Sequence, residues 1–392
     1  MKFLTNICHL FYGLFLVLFV NDTENTRIES FMALILLLLF FFNNIFKKKY
    51  IKIPKVLIPF LIFIFLSFFG IILNGAFVSF NIILLLIQLF IFMIILYNQF
   101  LLIDDFYFLF YGIFIGLLIN IYIGTYISTS YFEETTKRYA GSLLNPNHYS
   151  FLLSSSLAIL IYLFFKINNK FRFTSLFRFT LITLMLILVY EIIFKTGSRQ
   201  GLLCVFLCLI FFLYKQNSNR NYSKTLFTLV ISFFLINLFL NQLSEFDYAQ
   251  ERVLSIFSFD INNDQSIDQR YGYLVQAFQY WIENPIFGIG IDQFRVLNNS
   301  SYSHNNYVEL LGTTGITGFI SFYYCHFIIL KSFFLSKKNQ PYFIYSIFFL
   351  TIILLSDISQ VSYAEKPYWV IFTFAMFIVS KNNSKLNYTI KF

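Results

Sequence analysis

The stretch "YSHNNYVELLGTTGITG", residues 302 to 318, sets a histidine and two asparagines directly before an apolar run. An imidazole exchanges its proton near neutral pH, so His304 has the chemistry of a general base for a hydroxyl nucleophile. The same residues also read as a helix-capping turn, in which Asn305 or Asn306 accepts the first free N–H groups and no reaction is involved. Arg199 follows "TGS" at the start of another apolar run. A helix N-terminus and a planar guanidinium there would together suit a phosphate, while the alternative is an arginine that snorkels to lipid headgroups. Arg270 opens the helical pattern that leads to Trp281. A cation in a first helical turn is unfavourable, which points either to an anionic ligand or to pairing with the acidic residues of the same segment.

Other polar residues carry less. No His, Asp, Glu or Cys pair stands at ligand spacing with a third ligand evident, so neither a metal nor another cofactor is expected, and the absence of G-x-x-x-x-G-K-[ST] argues against ATP hydrolysis. Cys8, Cys204, Cys208 and Cys325 fall inside apolar runs and read as small hydrophobes. His9 and His326 are embedded in apolar runs without polar neighbours in the sequence and read as interfacial or packed residues, and His148, in "NPNHY", suits either capping or ligand contact.

The elements that must position these groups are membrane helices. The chain has 392 residues, 57 of them Phe, and is 58% hydrophobic and only 12% charged, against roughly a quarter charged in soluble domains. Runs such as "VLIPFLIFIFLSFFGIIL" reach the length of about 18 to 20 apolar residues that crosses a bilayer as helix, and they lack the alternation of a membrane barrel. The fold expected is an all-α, polytopic integral membrane protein, a single membrane domain over 1–392. About twelve spans are expected: 3–20, 29–46, 54–73, 79–97, 106–123, 147–165, 176–194, 200–214, 225–240, 309–330, 341–356 and 367–380. The first run has a basic start without a small-residue cleavage site after Val20 and reads as a retained helix. Most of the 28 Lys and Arg fall on one side of this arrangement, which puts both termini in the cytoplasm. The net charge of +9 is dispersed over helix ends, so membrane lipids, and not nucleic acid, are the expected partner.

That orientation sends a long loop, 241–304, to the outer face. Its second half has helical spacing up to Asn284, where Pro285, Gly288 and Gly290 end the helix. Four polar clusters meet on that face: "KRYAGSLLNPNHYS" (137–150), "KTGSRQGLL" (195–203), "DQRYGYL" (268–274) and the His304 stretch. Lys137, Arg138, Lys195, Arg199 and Arg270 lie within them, against the general inward bias of positive charge, which points to a negatively charged ligand.

In order and spacing, "RYAGSLLNPNHYSFLL", "TGSRQGLL", "RYGYLVQAFQYWIENPIFGIGIDQF" and "SHNNYVELLGTTGITGFISF" resemble the O-antigen ligase and O-antigen polymerase superfamily over residues 138–331. The resemblance implies an inverting membrane glycosyltransferase of the bacterial inner membrane, with its active site on the extracytoplasmic face. Its donor would be an undecaprenyl-diphosphate-linked glycan and its acceptor a glycan or a lipid-anchored core, with a chain-length regulator or a flippase as further partners. The family's paired arginines match Arg199 and Arg270, which would hold the diphosphate, and its histidine matches His304, which would activate the acceptor hydroxyl. Arg138 and Asn147 match a further motif of the substrate path, to which Asn305 and Glu309 are added. Where family members carry an acid just before "G-I-x-G", this chain has Thr313 and Thr314, with Glu309 as the substitute. The loop is short for a ligase that docks a bulky lipid acceptor, which favours a polymerase. The rival reading is a transporter or flippase of lipid-linked glycan, whose outer arginines attract cargo without covalent chemistry.

Overall fold

The structure, a computed structural model, describes residues 2–18, 34–40, 51–103, 107–126, 132–133, 138–139, 145–166, 174–216, 265–335, 343–381 and 387–390. Besides a helical stretch at 34–40 and short 3-10 turns, its helices are α1 (Lys2–Leu18), α2 (Ile58–Leu73), α3 (Phe80–Ile103), α4 (Tyr107–Tyr126), α5 (Pro146–Lys166), α6 (Thr174–Tyr190), α7 (Arg199–Gln216), α8 (Gln265–Glu283), α9 (Gln293–Leu297), α10 (Asn306–Leu335), α11 (Phe343–Ser356) and α12 (Lys366–Lys381). Contacts divide the chain into one unit of 1–113 with 264–392 and a second of 114–263.

Among the described residues, five helices are long and apolar enough to cross a membrane: 55–73, 77–103, 146–166, 176–195 and 306–332. Four more apolar helices are shorter, at 2–18, 107–122, 344–356 and 366–380. The protein is therefore a mainly helical membrane protein, but the described helices do not reach the expected count of twelve spans. The span expected at 225–240 and the first half of the long loop lie outside the described residues. Two short antiparallel ribbons depart from the all-α expectation. β1 (Ile51–Pro54) pairs with β4 (Asn387–Ile390), and β2 (Phe132–Glu133) pairs with β3 (Arg138–Tyr139). In the first ribbon the Lys52 N–H donates to Asn98 Oδ1 of α3 (2.9 Å) and its carbonyl accepts from Asn98 Nδ2 (2.8 Å), so the strand is held on its other edge by a side chain.

The core of the larger unit is aromatic. Phe60 and Phe63 of α2 meet Trp369 of α12 at 4.4 Å and Phe322 of α10 at 5.3 Å between ring centroids, and all four are fully buried. Pro59 sits in the first turn of α2, where its missing N–H costs nothing. At the other end, Asn74 Nδ2 donates to the carbonyls of Gly70 (2.8 Å) and Gly288 (3.0 Å), fastening α2 to the loop after α8.

That loop is threaded into a break in α10. Gly315 has φ 63° and ψ −172°, a conformation that an L side chain rarely enters. An unbroken helix would bond the N–H groups of Ile316 and Thr317 to the carbonyls of Gly312 and Thr313. Here those donors turn to the carbonyls of Pro285 (2.9 Å) and Ile286 (3.4 Å), while the carbonyls of Gly312 and Thr313 accept the N–H groups of Ile289 (3.1 Å) and Gly290 (2.9 Å). The Thr317 hydroxyl adds a 2.7 Å bond to the Ile286 carbonyl. All four of these backbone groups are thus satisfied by "PIFGIG". The exchange draws α8 against the first half of α10, where a Cβ on Gly312 would stand 2.6 Å from the Ala277 carbonyl oxygen. Gly318 does not serve such an approach, because the nearest atoms to a Cβ there belong to Thr314 of the same helix.

This geometry predicts that Gly315→Ala is poorly tolerated. The side chain would meet the Ile286 carbonyl oxygen at 2.3 Å, in addition to a left-handed cost of about 1–2 kcal/mol. Thermal unfolding in detergent should show a clear drop in midpoint. Gly272→Ala, whose Cβ would meet nothing within 4 Å, should leave the midpoint unchanged or raise it.

Candidate functional site

The site in the larger unit is built on the turn that starts α10. His304 has φ 57°, a left-handed conformation uncommon outside glycine but tolerated by His, Asn and Asp. The flanking residues enforce it. Asn305 caps α10 through its Oδ1, which accepts the N–H groups of Tyr307 (3.0 Å) and Val308 (3.2 Å). Ser303 Oγ donates to the Asn305 carbonyl (2.9 Å). The buried Glu309 reaches back with Oε2 to accept the Ser303 N–H at 2.8 Å, which ties the residues before the cap to the first turns of the helix. The capping reading of the asparagines thus holds for Asn305, and Glu309 faces inward as the support of the loop.

Asn306 has a different task. Its N–H donates to the Asp357 carbonyl (2.8 Å), its Oδ1 accepts the N–H groups of Ser362 (3.1 Å) and Tyr363 (3.3 Å), and its Nδ2 donates to the Tyr323 hydroxyl (3.0 Å). Asn305 Nδ2 donates to the Ile358 carbonyl at 3.2 Å. The start of α10 is therefore stitched to the turn between α11 and α12, residues 357–363. At the centre of that turn the fully buried Asp357 accepts hydroxyls from Ser362 on one oxygen and from Tyr323 (3.0 Å) and Tyr368 (3.3 Å) on the other. Burial pushes its carboxyl up to about 7, and the hydroxyl donors only partly offset this.

Arg270 lies on α8, partly buried. The helix begins at Gln265, so Arg270 stands in the second turn and not the first, and the argument from an unfavourable first-turn cation does not apply to it. Its position, seven residues before Ala277, puts it on the α8 face that packs on α10. Tyr273, one turn closer, has its ring 6.4 Å from that of His304. The fold thereby brings Arg270, His304, Asn305 and Glu309 to one end of this unit.

In the second unit, Ser198 Oγ donates to Asn147 Oδ1 at 2.9 Å and accepts the Gly201 N–H at 3.3 Å. The cap of α7 is thus tied to the first turn of α5, and two sequence motifs about fifty residues apart meet beside Arg199. Gly197, with φ 52°, turns the chain from the π-helical end of α6, 191–195, into this cap. Arg138 pairs through its backbone with Glu133 in the small ribbon.

Several residues of the site were not singled out from sequence. Asp357 and Ser362 lie in "SDISQVSY", where an acid straight after an apolar run was the available signal. Arg295 forms a two-pronged ion pair with Asp292, at 3.0 and 2.6 Å, beside Tyr302. His9 and His326 do have polar partners: His9 Nε2 meets Gln99 Oε1 at 2.7 Å, and His326 Nε2 meets the Tyr368 hydroxyl at 2.8 Å. The partners come from other helices, so no local pattern could reveal them. Among the described residues, no group of three His, Cys, Asp or Glu side chains could hold a metal ion.

Residues 182–323 match the family model described as O-antigen ligase. The match takes in Arg199, Arg270, His304, Asn305 and Glu309, whereas Arg138 and Asn147 precede it, and it supports membership of the O-antigen ligase and polymerase superfamily. No curated protein matches the chain.

The raised carboxyl of Asp357 gives a pH prediction. The folded state holds this proton more tightly than the unfolded chain does, so its contribution to stability is full below about pH 4. It is lost as pH rises through about 7 and then stays level. Asp357→Asn removes the titration. Across pH 4 to 7, the melting midpoint of the wild type in detergent should fall relative to that of the variant; parallel profiles would contradict the assignment.

Proposed function

We propose that this chain, placed by its central region in the O-antigen ligase and polymerase superfamily, is a membrane glycosyltransferase that uses undecaprenyl-diphosphate-linked oligosaccharide as donor. The reading places it in O-antigen, capsule or exopolysaccharide assembly at the bacterial inner membrane, its site facing outward, and favours polymerisation over ligation. The observation that supports it most is the His304 turn. An imidazole is fixed in a left-handed conformation by Asn305, Ser303 and Glu309, on the end of the unit that also carries Arg270.

In the proposed reaction, His304 takes the proton of an acceptor hydroxyl as its oxygen attacks the anomeric carbon of the donor. The bond from that carbon to the diphosphate oxygen breaks with inversion, and the lipid diphosphate leaves with the electron pair. Arg270 neutralises the charge growing on the leaving group, a stabilisation worth more in a partly desolvated site than in water. Arg199, at the capped start of α7, binds phosphate oxygens with its planar fork. The mechanism takes no metal. Glu309 and Asn305 support it by holding the loop, and Arg138 and Asn147 are assigned to the substrate path by resemblance.

Reconstitution in vesicles with a defined lipid-diphosphate-linked repeat unit tests this. A positioned general base contributes roughly 10²- to 10⁴-fold, so His304→Ala should lower the rate of glycan transfer by that order while the protein inserts normally. Wild-type product from that variant would sink the catalytic proposal and favour a transporter of the same lipid. Arg270→Lys and Arg199→Lys keep the charge but lose the fork, and each should slow transfer; full activity in both would count against a diphosphate clamp. Chain elongation without any core acceptor would exclude a ligase-only enzyme.

A further inference from the structure

α8 carries a second surface that its contact with α10 leaves uncovered. Tyr271, Val275, Phe278 and Ile282 recur at steps of four, three and four residues, which lines them along one stripe of the helix. They are 68%, 40%, 46% and 62% exposed. The opposite face holds the buried Ala277 and the Tyr273 that faces His304. Exposed Gly272, Gln279 and Glu283 form a flank between the two. The helix thus has three faces: one against protein, one apolar and open, one polar and open.

The apolar stripe continues into a membrane-facing surface. Beyond the end of α8, Ile286 is exposed, and the backbone of Pro285 and Ile286 bonds to Ile316 and Thr317. From there Ile316, Ile320, Tyr324 and Phe327 carry an exposed apolar line down α10, which lies within a stretch long and apolar enough to cross a membrane. The part of α10 beyond the Gly315 break, 316–335, is about 30 Å long at the helical rise, the thickness of a hydrocarbon core. The break and the base of α8 accordingly fall near one edge of that core.

We infer that α8 is an interfacial helix that seats Tyr271, Val275, Phe278 and Ile282 in the lipid surface at the His304 end, with Gln279 and Glu283 turned to water. The partner of the stripe is the bilayer itself. Lipid covers the large apolar side chains and removes them from water, and the polar flank explains why the helix lies at the surface without crossing. The use of this placement rests on the proposed function. It sets the Arg270 helix at the depth where a lipid-linked diphosphate presents its charge.

The placement is tested without any activity assay, so its failure and the failure of the enzymatic reading remain distinguishable. All four native cysteines are buried, so single cysteines can be introduced into the full chain as Val275→Cys, Ile282→Cys, Gln279→Cys and Glu283→Cys. Each is given a nitroxide in phosphatidylcholine vesicles, and its collisions with molecular oxygen, which concentrates in lipid, and with a water-soluble nickel chelate are measured. At 275 and 282 oxygen should win several-fold, and at 279 and 283 the chelate should win. Chelate access at all four positions would put the stripe in water, and protection of 275 and 282 from both reagents would show protein, such as a second copy, covering it; either result overturns the inference. Should a labelled variant misfold, the unlabelled protein carries its own probe. Trp281 lies on α8 and the other tryptophan, Trp369, is fully buried. The difference between wild type and Trp281→Phe should lose most of its fluorescence to lipids brominated near the headgroup, and no loss would overturn the placement.

Discussion

The larger unit depends on an exchange of backbone hydrogen bonds at the break in α10. Gly315 leaves the helical conformation, and the two carbonyls and two N–H groups set free are taken up by residues 285–290. In a membrane such groups cost several kcal/mol each when unsatisfied, so neither the break nor the loop is stable without the other. The consequence is positional. The loop returns from the end of α8, so fixing it in α10 also fixes α8 against the segment that begins at His304.

A second set of bonds holds the other side of that segment. Asn306 and Asn305 join the start of α10 to the 357–363 turn, where Asp357 gathers three hydroxyls in a buried cluster. Buried polar groups stabilise a unique arrangement only when their partners are all present. His304 is suspended between these two anchors, in a left-handed conformation uncommon outside glycine. Pre-organisation of this kind suits the general base proposed for this position, since loss of geometry costs rate even when the chemistry is intact.

Much of this was legible in the sequence because it rests on local pattern. The apolar runs gave most of the described helices, and the helical spacing up to Asn284 followed by Pro285 gave the end of α8. "SHNNYVE" gave a capping turn beside a titratable ring. What stayed hidden was set by partners distant in the chain. Nothing near Gly315 says that its break is filled by "PIFGIG", and nothing near Asp357 says that it will meet Asn306 and Tyr323. The start of α8 was misjudged at Arg270 because the residues before it are polar and carry no apolar period, although the backbone is helical from Gln265. His9 and His326 are packed inside, but their polar partners were hidden for the same reason as those of Asp357: they come from other helices.

On the proposed function, the Asn306 brace acts on glycosyl transfer through His304. A double-mutant cycle on the reconstituted reaction measures this directly, with His304→Ala, Asn306→Ala and the pair compared for turnover. The account predicts that Asn306→Ala slows the wild-type enzyme but has little further effect once His304 is gone, since the brace then has no ring to position. Multiplicative losses, with Asn306→Ala costing the same factor in both backgrounds, would contradict it.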